Sequence, residues 1–152
     1  MILFALALGL LVPIDRNVYL QRDGVYAIKS DTDTFSEEKL IQYLEELNMP
    51  FAEIIVAQAR IESGNYSSFL FKEQHNIFSM KEANRRPTTA IGSDNGHAVY
   101  RSWRDAVIDY SLWYSRYASS CVTEDQYLNY LGRVYAEDKD YIQKLNKLQW
   151  KQ

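Results

Sequence analysis

Apolar residues run without a break from Met1 to Val12 (MILFALALGLLV), and the pattern then turns mixed and polar from Pro13 to Asp33. Within that second stretch Val25-Tyr26-Ala27-Ile28 has the composition of a short strand. From Thr34 the period becomes helical. Thr34-Phe35-Ser36-Glu37 has capping-box spacing, and Leu40, Ile41, Leu44 and Leu47 follow on one face. Asn48-Met49-Pro50 interrupts, and Pro50 suits the first turn of a second helix. That helix is expected to run to about Ser63, where Gly64-Asn65 stops it. A shorter helix is expected over Ser67–Glu73. Between Arg85 and Tyr100 the period changes to that of strands, Arg86–Ile91 and His97–Tyr100, around Ser93-Asp94-Asn95-Gly96. Asn-Gly between β-prone runs is a hairpin signal. Ser102-Trp103-Arg104-Asp105 resembles a capping box and opens a helix with Val107, Tyr110, Tyr114 and Tyr117 on one face. Thr123 can cap a helix carrying Tyr127, Leu128 and Leu131. Asp138 can cap a last one carrying Tyr141, Ile142, Leu145 and Leu148. The pattern therefore predicts a leader (1–12), a linker or arm (13–33) and one mainly α domain (34–152) with a small β-hairpin.

The leader is too short to span a bilayer. Twelve helical residues reach about 18 Å against a hydrocarbon core of roughly 30 Å. The length fits the apolar region of a signal peptide, although no basic residue precedes it and no clear A-x-A site follows. Export or membrane association through this leader is the expectation, with a buried N-terminal strand or helix as the alternative. The chain of 152 residues is 47% apolar and 24% charged, an ordinary globular balance. A net charge of −3 lacks the basic footprint of a nucleic-acid binder, so no nucleic-acid partner is expected. One cysteine, Cys121, rules out an intramolecular disulfide and any multi-cysteine metal site. With only His75 and His97 as imidazoles, neither metal nor cofactor is expected. The excess is aromatic: twelve tyrosines, six phenylalanines and three tryptophans. Such rings fill a core, and they also suit a groove that binds sugars.

The chemistry concentrates in Phe51–Lys81. On a helix, Phe51, Ile55, Gln58, Ala59 and Glu62 fall on one side. A carboxylate at the end of an apolar stripe is costly to bury unless it is protonated or paired. Desolvation raises its pKa, and a glutamate so tuned can donate a proton near neutral pH. The alternative is a solvated Glu62 at the helix end, paired with Arg60 or Lys81.

Ala57-Gln58-Ala59-Arg60-Ile61-Glu62-Ser63-Gly64, followed by Asn76-Ile77-Phe78-Ser79-Met80-Lys81, resembles a known family. It is the family of bacterial and phage N-acetylglucosaminidases that cut peptidoglycan, with flagellar-rod and autolysin members in the lysozyme-like superfamily. Their motifs read A-Q-A-x-x-E-S-G and then N-[LI]-F-G-x-K. Thr88-Thr89, the Asn95-Gly96 turn, Val99-Tyr100-Arg101-Ser102, Asp109-Tyr110 and Tyr135-Ala136-Glu137-Asp138-Lys139-Asp140-Tyr141 extend the resemblance over roughly residues 36–148. It implies a lysozyme-like α-helical domain with a small β-hairpin lobe, and Glu62 as general acid. It implies Asn76 and Phe78 in a sugar groove, with Tyr66 a weaker candidate for the same wall. Tyr100 is expected to point into the cleft from the second hairpin strand and orient an acetamide. Core packing is the alternative for Phe78, and a buried, satisfied hydroxyl the alternative for Tyr100. Tyr110, Tyr114 and Tyr117 are expected in the core rather than the cleft.

Many family members carry a second acid on the hairpin. Asp94 is the only acid in that run here, and a turn role competes with catalysis for it. Glu73 and Glu82 are further candidates. The alternative is substrate assistance, in which the acetamide oxygen attacks C1. The activity implied is hydrolysis of β-1,4 bonds after N-acetylglucosamine in peptidoglycan, at the cell envelope or outside the cell. Two other readings compete: a lytic transglycosylase on the same superfold, and a peptidoglycan-binding or virion module with reduced catalysis.

Overall fold

The computed structural model describes residues 18–20, 26–28, 34–135 and 140–149. The leader 1–12 and the Asp138 cap lie outside them. The chain divides between Thr34 and Phe35 into two compact units. In the first, β1 (Val18–Leu20) pairs antiparallel with β2 (Tyr26–Ile28), Val18 opposite Ile28. The strand expected over Val25–Ile28 thus has a partner that the pattern did not reveal.

The second unit holds six helices among its described residues, with one hairpin. Helix α1 (Glu37–Glu46) buries Leu40 and Leu44. Its cap is Ser36, whose Oγ accepts from the Lys39 N–H at 3.3 Å. The capping residue therefore falls two positions after Thr34, because Ser36 takes the extended backbone that aims its hydroxyl at the first turn. Helix α2 (Ala52–Glu62) buries every residue from Ile54 to Ala59. Phe51 precedes it in a left-handed conformation, φ 59°, and makes no side-chain cap. The helix thus begins after Pro50 rather than at it. The Phe51 ring stacks on Tyr127 at 5.0 Å, and that packing offsets the backbone strain. Gly64, Asn65 and Tyr66 all take positive φ, which ends the helix where the sequence places its stop.

Helix α3 (Phe69–Gln74) is capped by Ser68. The hairpin follows as β3 (Gly92–Asp94) and β4 (His97–Val99), with Asp94 opposite His97. Asn95 at φ 49° and Gly96 at φ 81° supply the two left-handed residues of its turn. The first strand forms later than expected, over Gly92–Asp94, which includes part of the run read as the turn. Arg86–Ile91 is not a strand, because Arg86 and Thr89 engage Asp109 and Asp105 instead of a β partner. Helices α4 (Trp103–Tyr117) and α5 (Glu124–Val134) are capped by Ser102 and Thr123, as the pattern predicts. Helix α6 (Tyr141–Gln149) packs against α2 and α5. At Gly132 on α5 an added Cβ would meet Ile142 Cγ1 of α6 at 3.0 Å, so glycine permits that close approach.

Candidate active site

Glu62 ends α2, and the helix delivers it to the wall of an open cleft of about 650 Å³. The loop Ser79–Arg86, His97 of β4, Trp113 and Tyr117 of α4, and Arg133–Tyr135 with Tyr141 also line it. Burial pushes the Glu62 carboxyl up to about 7, against a smaller downward pull from the Tyr141 hydroxyl. That hydroxyl donates to Glu62 Oε1 at 3.0 Å. Arg60 does not neutralise Glu62. It is committed to Glu37 through two hydrogen bonds, one of them Nε to Oε2 at 2.6 Å. The result is a carboxyl that keeps its proton near neutrality within an accessible cleft, which is what proton donation to a leaving group requires.

Other residues singled out in the sequence lie elsewhere. Asn76 is fully buried and works as a clamp. Its Nδ2 donates to the carbonyls of Met80 (2.9 Å) and Ala98 (2.8 Å), and its Oδ1 accepts from the Met80 N–H at 2.9 Å. It holds the loop after α3 against β4. Phe78 is fully buried against the Tyr110 ring at 4.3 Å. Ser79, at φ 50°, stands where the related motif has glycine. Its Oγ donates to the Glu62 carbonyl at 2.9 Å, tying this loop to the end of α2.

Tyr100 does not point into the cleft. It is 1% exposed, and its hydroxyl donates to Asp109 Oδ2 at 2.8 Å. Asp109 also accepts from Arg86 at 2.7 and 2.8 Å in a buried ion pair. Burial alone would raise the Asp109 pKa, but the hydrogen bonds from Arg86 and Tyr100 hold it below its ordinary value. Tyr100 follows β4, and the backbone bond from its N–H to the Gln74 carbonyl at 3.0 Å turns the chain inward there. Tyr66 is also displaced from the expected wall. Its hydroxyl donates to Glu37 Oε2 at 2.5 Å and its ring packs against Phe35 at 4.6 Å. Asp94 sits beside the hairpin turn, outside the cleft lining, and accepts from Gln74 Nε2 at 2.7 Å.

The cleft draws on residues the sequence did not nominate. Trp113, Tyr117 and Tyr135 form an aromatic wall, with Trp113 5.4 Å from Tyr135 and 6.5 Å from Tyr117. Tyr110 and Tyr114 are buried as expected, whereas Tyr117 is 39% exposed. The 110–114–117 stripe leaves the core at the last turn of α4, and the neighbouring 113–117 spacing of four was the available signal. Among the described residues, the only acid in the lining besides Glu62 is Glu82, which accepts from Ser93 Oγ at 2.7 Å. Among the described residues no group of three or more His, Cys, Asp or Glu side chains is arranged to hold a metal ion.

The second unit is thus a lysozyme-like helical domain with one hairpin, an open cleft and a desolvated glutamate on its wall. Residues 37–151 match the glucosaminidase family, described as mannosyl-glycoprotein endo-β-N-acetylglucosaminidase. The chain belongs to that family. Solved structures share the fold. The catalytic domain of the autolysin Auto from Listeria monocytogenes is 23% identical, with a TM-score of 0.51 over 74% of this chain and 77% of that one. A chain of a type VI secretion system effector–immunity complex from Pseudomonas protegens is 19% identical, with a TM-score of 0.50 over 72% and 85%. An N-acetylmuramoyl-L-alanine amidase from Staphylococcus aureus is 24% identical, with a TM-score of 0.58 over 81% of this chain and 42% of that one. No curated protein matches the chain.

Proposed function

We propose that the chain is a peptidoglycan hydrolase that cleaves the β-1,4 bond following N-acetylglucosamine, with Glu62 as general acid. The observation that carries this reading is the Glu62 carboxyl at the cleft wall, held near neutrality by burial. Family membership supports the sugar, and the autolysin and the amidase among the fold relatives support the polymer. Protonated Glu62 gives its proton to the glycosidic oxygen as the C1–O bond breaks. The substrate's acetamide oxygen bonds to C1 in the same step. Water then attacks C1, the acetamide is released, and the Glu62 carboxylate takes the water's proton, restoring the acid. Glu82, which lines the cleft where Asp94 does not, is the competing candidate for a second carboxylate. Trp113 and Tyr117 present ring faces on which sugars can stack.

Digestion of purified peptidoglycan, followed by mass spectrometry of the reduced fragments, tests the bond and the chemistry together. Fragments ending in reduced N-acetylglucosamine are expected. Anhydro-muramyl ends would replace hydrolysis with lytic transglycosylation, which also needs a single glutamate. Sacculus binding without cleavage would favour the binding or virion module. A substrate in the envelope, together with the Met1–Val12 leader, supports export or membrane association. Among the described residues no helix is long and apolar enough to cross a membrane. Fractionation of cells expressing the full chain is expected to place it in exported or membrane fractions. Protein found wholly in the cytosol would reject export.

A further inference from the structure

Gln58 lies one turn before Glu62 on α2 and is 0% exposed. Its Nε2 donates to the Tyr141 hydroxyl at 3.1 Å, and its Oε1 accepts from Tyr110 and, at 3.5 Å, from Tyr127. The hydroxyls of Tyr110 and Tyr127 also meet each other. Each hydroxyl has one hydrogen to give, so the amide sets the direction of the whole chain. Tyr127 donates to Tyr110, Tyr110 to Gln58, Gln58 to Tyr141, and Tyr141 to Glu62 Oε1. With the amide turned the other way, its Nε2 would face Tyr110 and Tyr127, and one of those two buried hydroxyl hydrogens would have no acceptor among the described residues; an orphaned buried donor is costly. Three helices besides α2 contribute to the chain: Tyr127 from α5, Tyr110 from α4 and Tyr141 from α6.

We propose that Gln58 is a positioning residue for proton donation: by fixing Tyr141 as the donor to Glu62 Oε1, it confines the catalytic proton to Oε2. This rests on the reading of Glu62 as general acid. A carboxylic acid that can exchange its proton between two oxygens presents the correct one only part of the time. A one-way hydrogen bond to Oε1 removes that ambiguity. It also favours the carboxylate that remains after transfer.

The test is the pH dependence of kcat/KM on peptidoglycan, with the full-length protein. Its alkaline limb reports the acid that must stay protonated. Tyr135, Lys81, Glu82, Arg86, His97 and Arg133 line the same cleft and stay constant across the variants. Tyr141→Phe removes a bond that favours the carboxylate, so the limb is expected to move up by about half a unit or more. Gln58→Met is expected to move it in the same direction and lower kcat about tenfold, with KM within about twofold. The double variant is expected to go no further than Tyr141→Phe alone. A downward shift in Tyr141→Phe would establish the opposite polarity and overturn the proposal, and this arm decides even if Gln58→Met does not fold. A folded Gln58→Met with unchanged limb and kcat, or shifts that add in the double variant, would also overturn it. Glu62→Gln separates the two claims. If that variant is inactive while Gln58→Met leaves the limb unmoved, only the relay fails. If it stays active, the general-acid reading fails too.

Discussion

Glu62 illustrates how a residue suited to catalysis is poorly suited to stability. Its folded-state pKa of about 7 lies above the ordinary 4.5 because of burial. Between those values the folded chain holds a proton that the unfolded chain has released. Stability therefore falls as pH rises from about 4.5 to 7, and stays at the lower level above that. Glu62→Gln lacks this penalty. It is expected to be more stable than wild type at pH 8 by about 3 kcal/mol, with the difference vanishing near pH 4. Thermal melts at the two pH values check this, and a variant no more stable at pH 8 would contradict the burial. Tyr100 is the converse case, a side chain that resembles a cleft residue and serves the interior. Tyr100→Phe removes its bond to Asp109 and is expected to cost about 1–2 kcal/mol, with kcat within about threefold of wild type. Urea unfolding beside a rate measurement separates the two effects. A loss of turnover without loss of stability would return Tyr100 to the substrate.

At the scale of elements, helices were the most legible feature. Ser102 and Thr123 cap as their spacing implies, and the buried faces of α4 and α5 follow the predicted stripes. The hairpin turn was legible because Asn95-Gly96 is one of few pairs that accept two positive φ angles. The extent of its first strand was not, since the buried pull of Asp109 on Arg86 and Thr89 is a tertiary effect. The cleft-facing edge of α4 was missed for a related reason. Helical spacing identifies an apolar face and does not say whether its margin meets core or solvent. Tyr117 lies on that margin, exposed and lining the cleft. Tyr117→Ala is expected to raise KM about threefold to tenfold, as loss of one stacking surface would, with kcat and melting temperature nearly unchanged. Saturation kinetics on soluble glycan fragments measure it, and an unchanged KM would remove Tyr117 from the sugar-binding wall.

For the molecule as a whole, the architecture and the family were readable because each local signal agreed with the others. The placement of individual site residues was less readable. Motif spacing brings Glu62, Asn76 and Phe78 together in the chain without distinguishing a residue that touches substrate from one that holds the loop. In the structure Asn76 and Phe78 are fully buried, while Glu62 and the α4 aromatics line the cleft. That division makes Glu62 the point on which the functional account stands. The most direct measurement is the rate of peptidoglycan cleavage by Glu62→Gln against wild type near pH 6, with folding verified by circular dichroism. The account predicts a folded protein at least ~100-fold slower, the lower range for loss of a general acid. A folded variant within a few-fold of wild-type activity would contradict it.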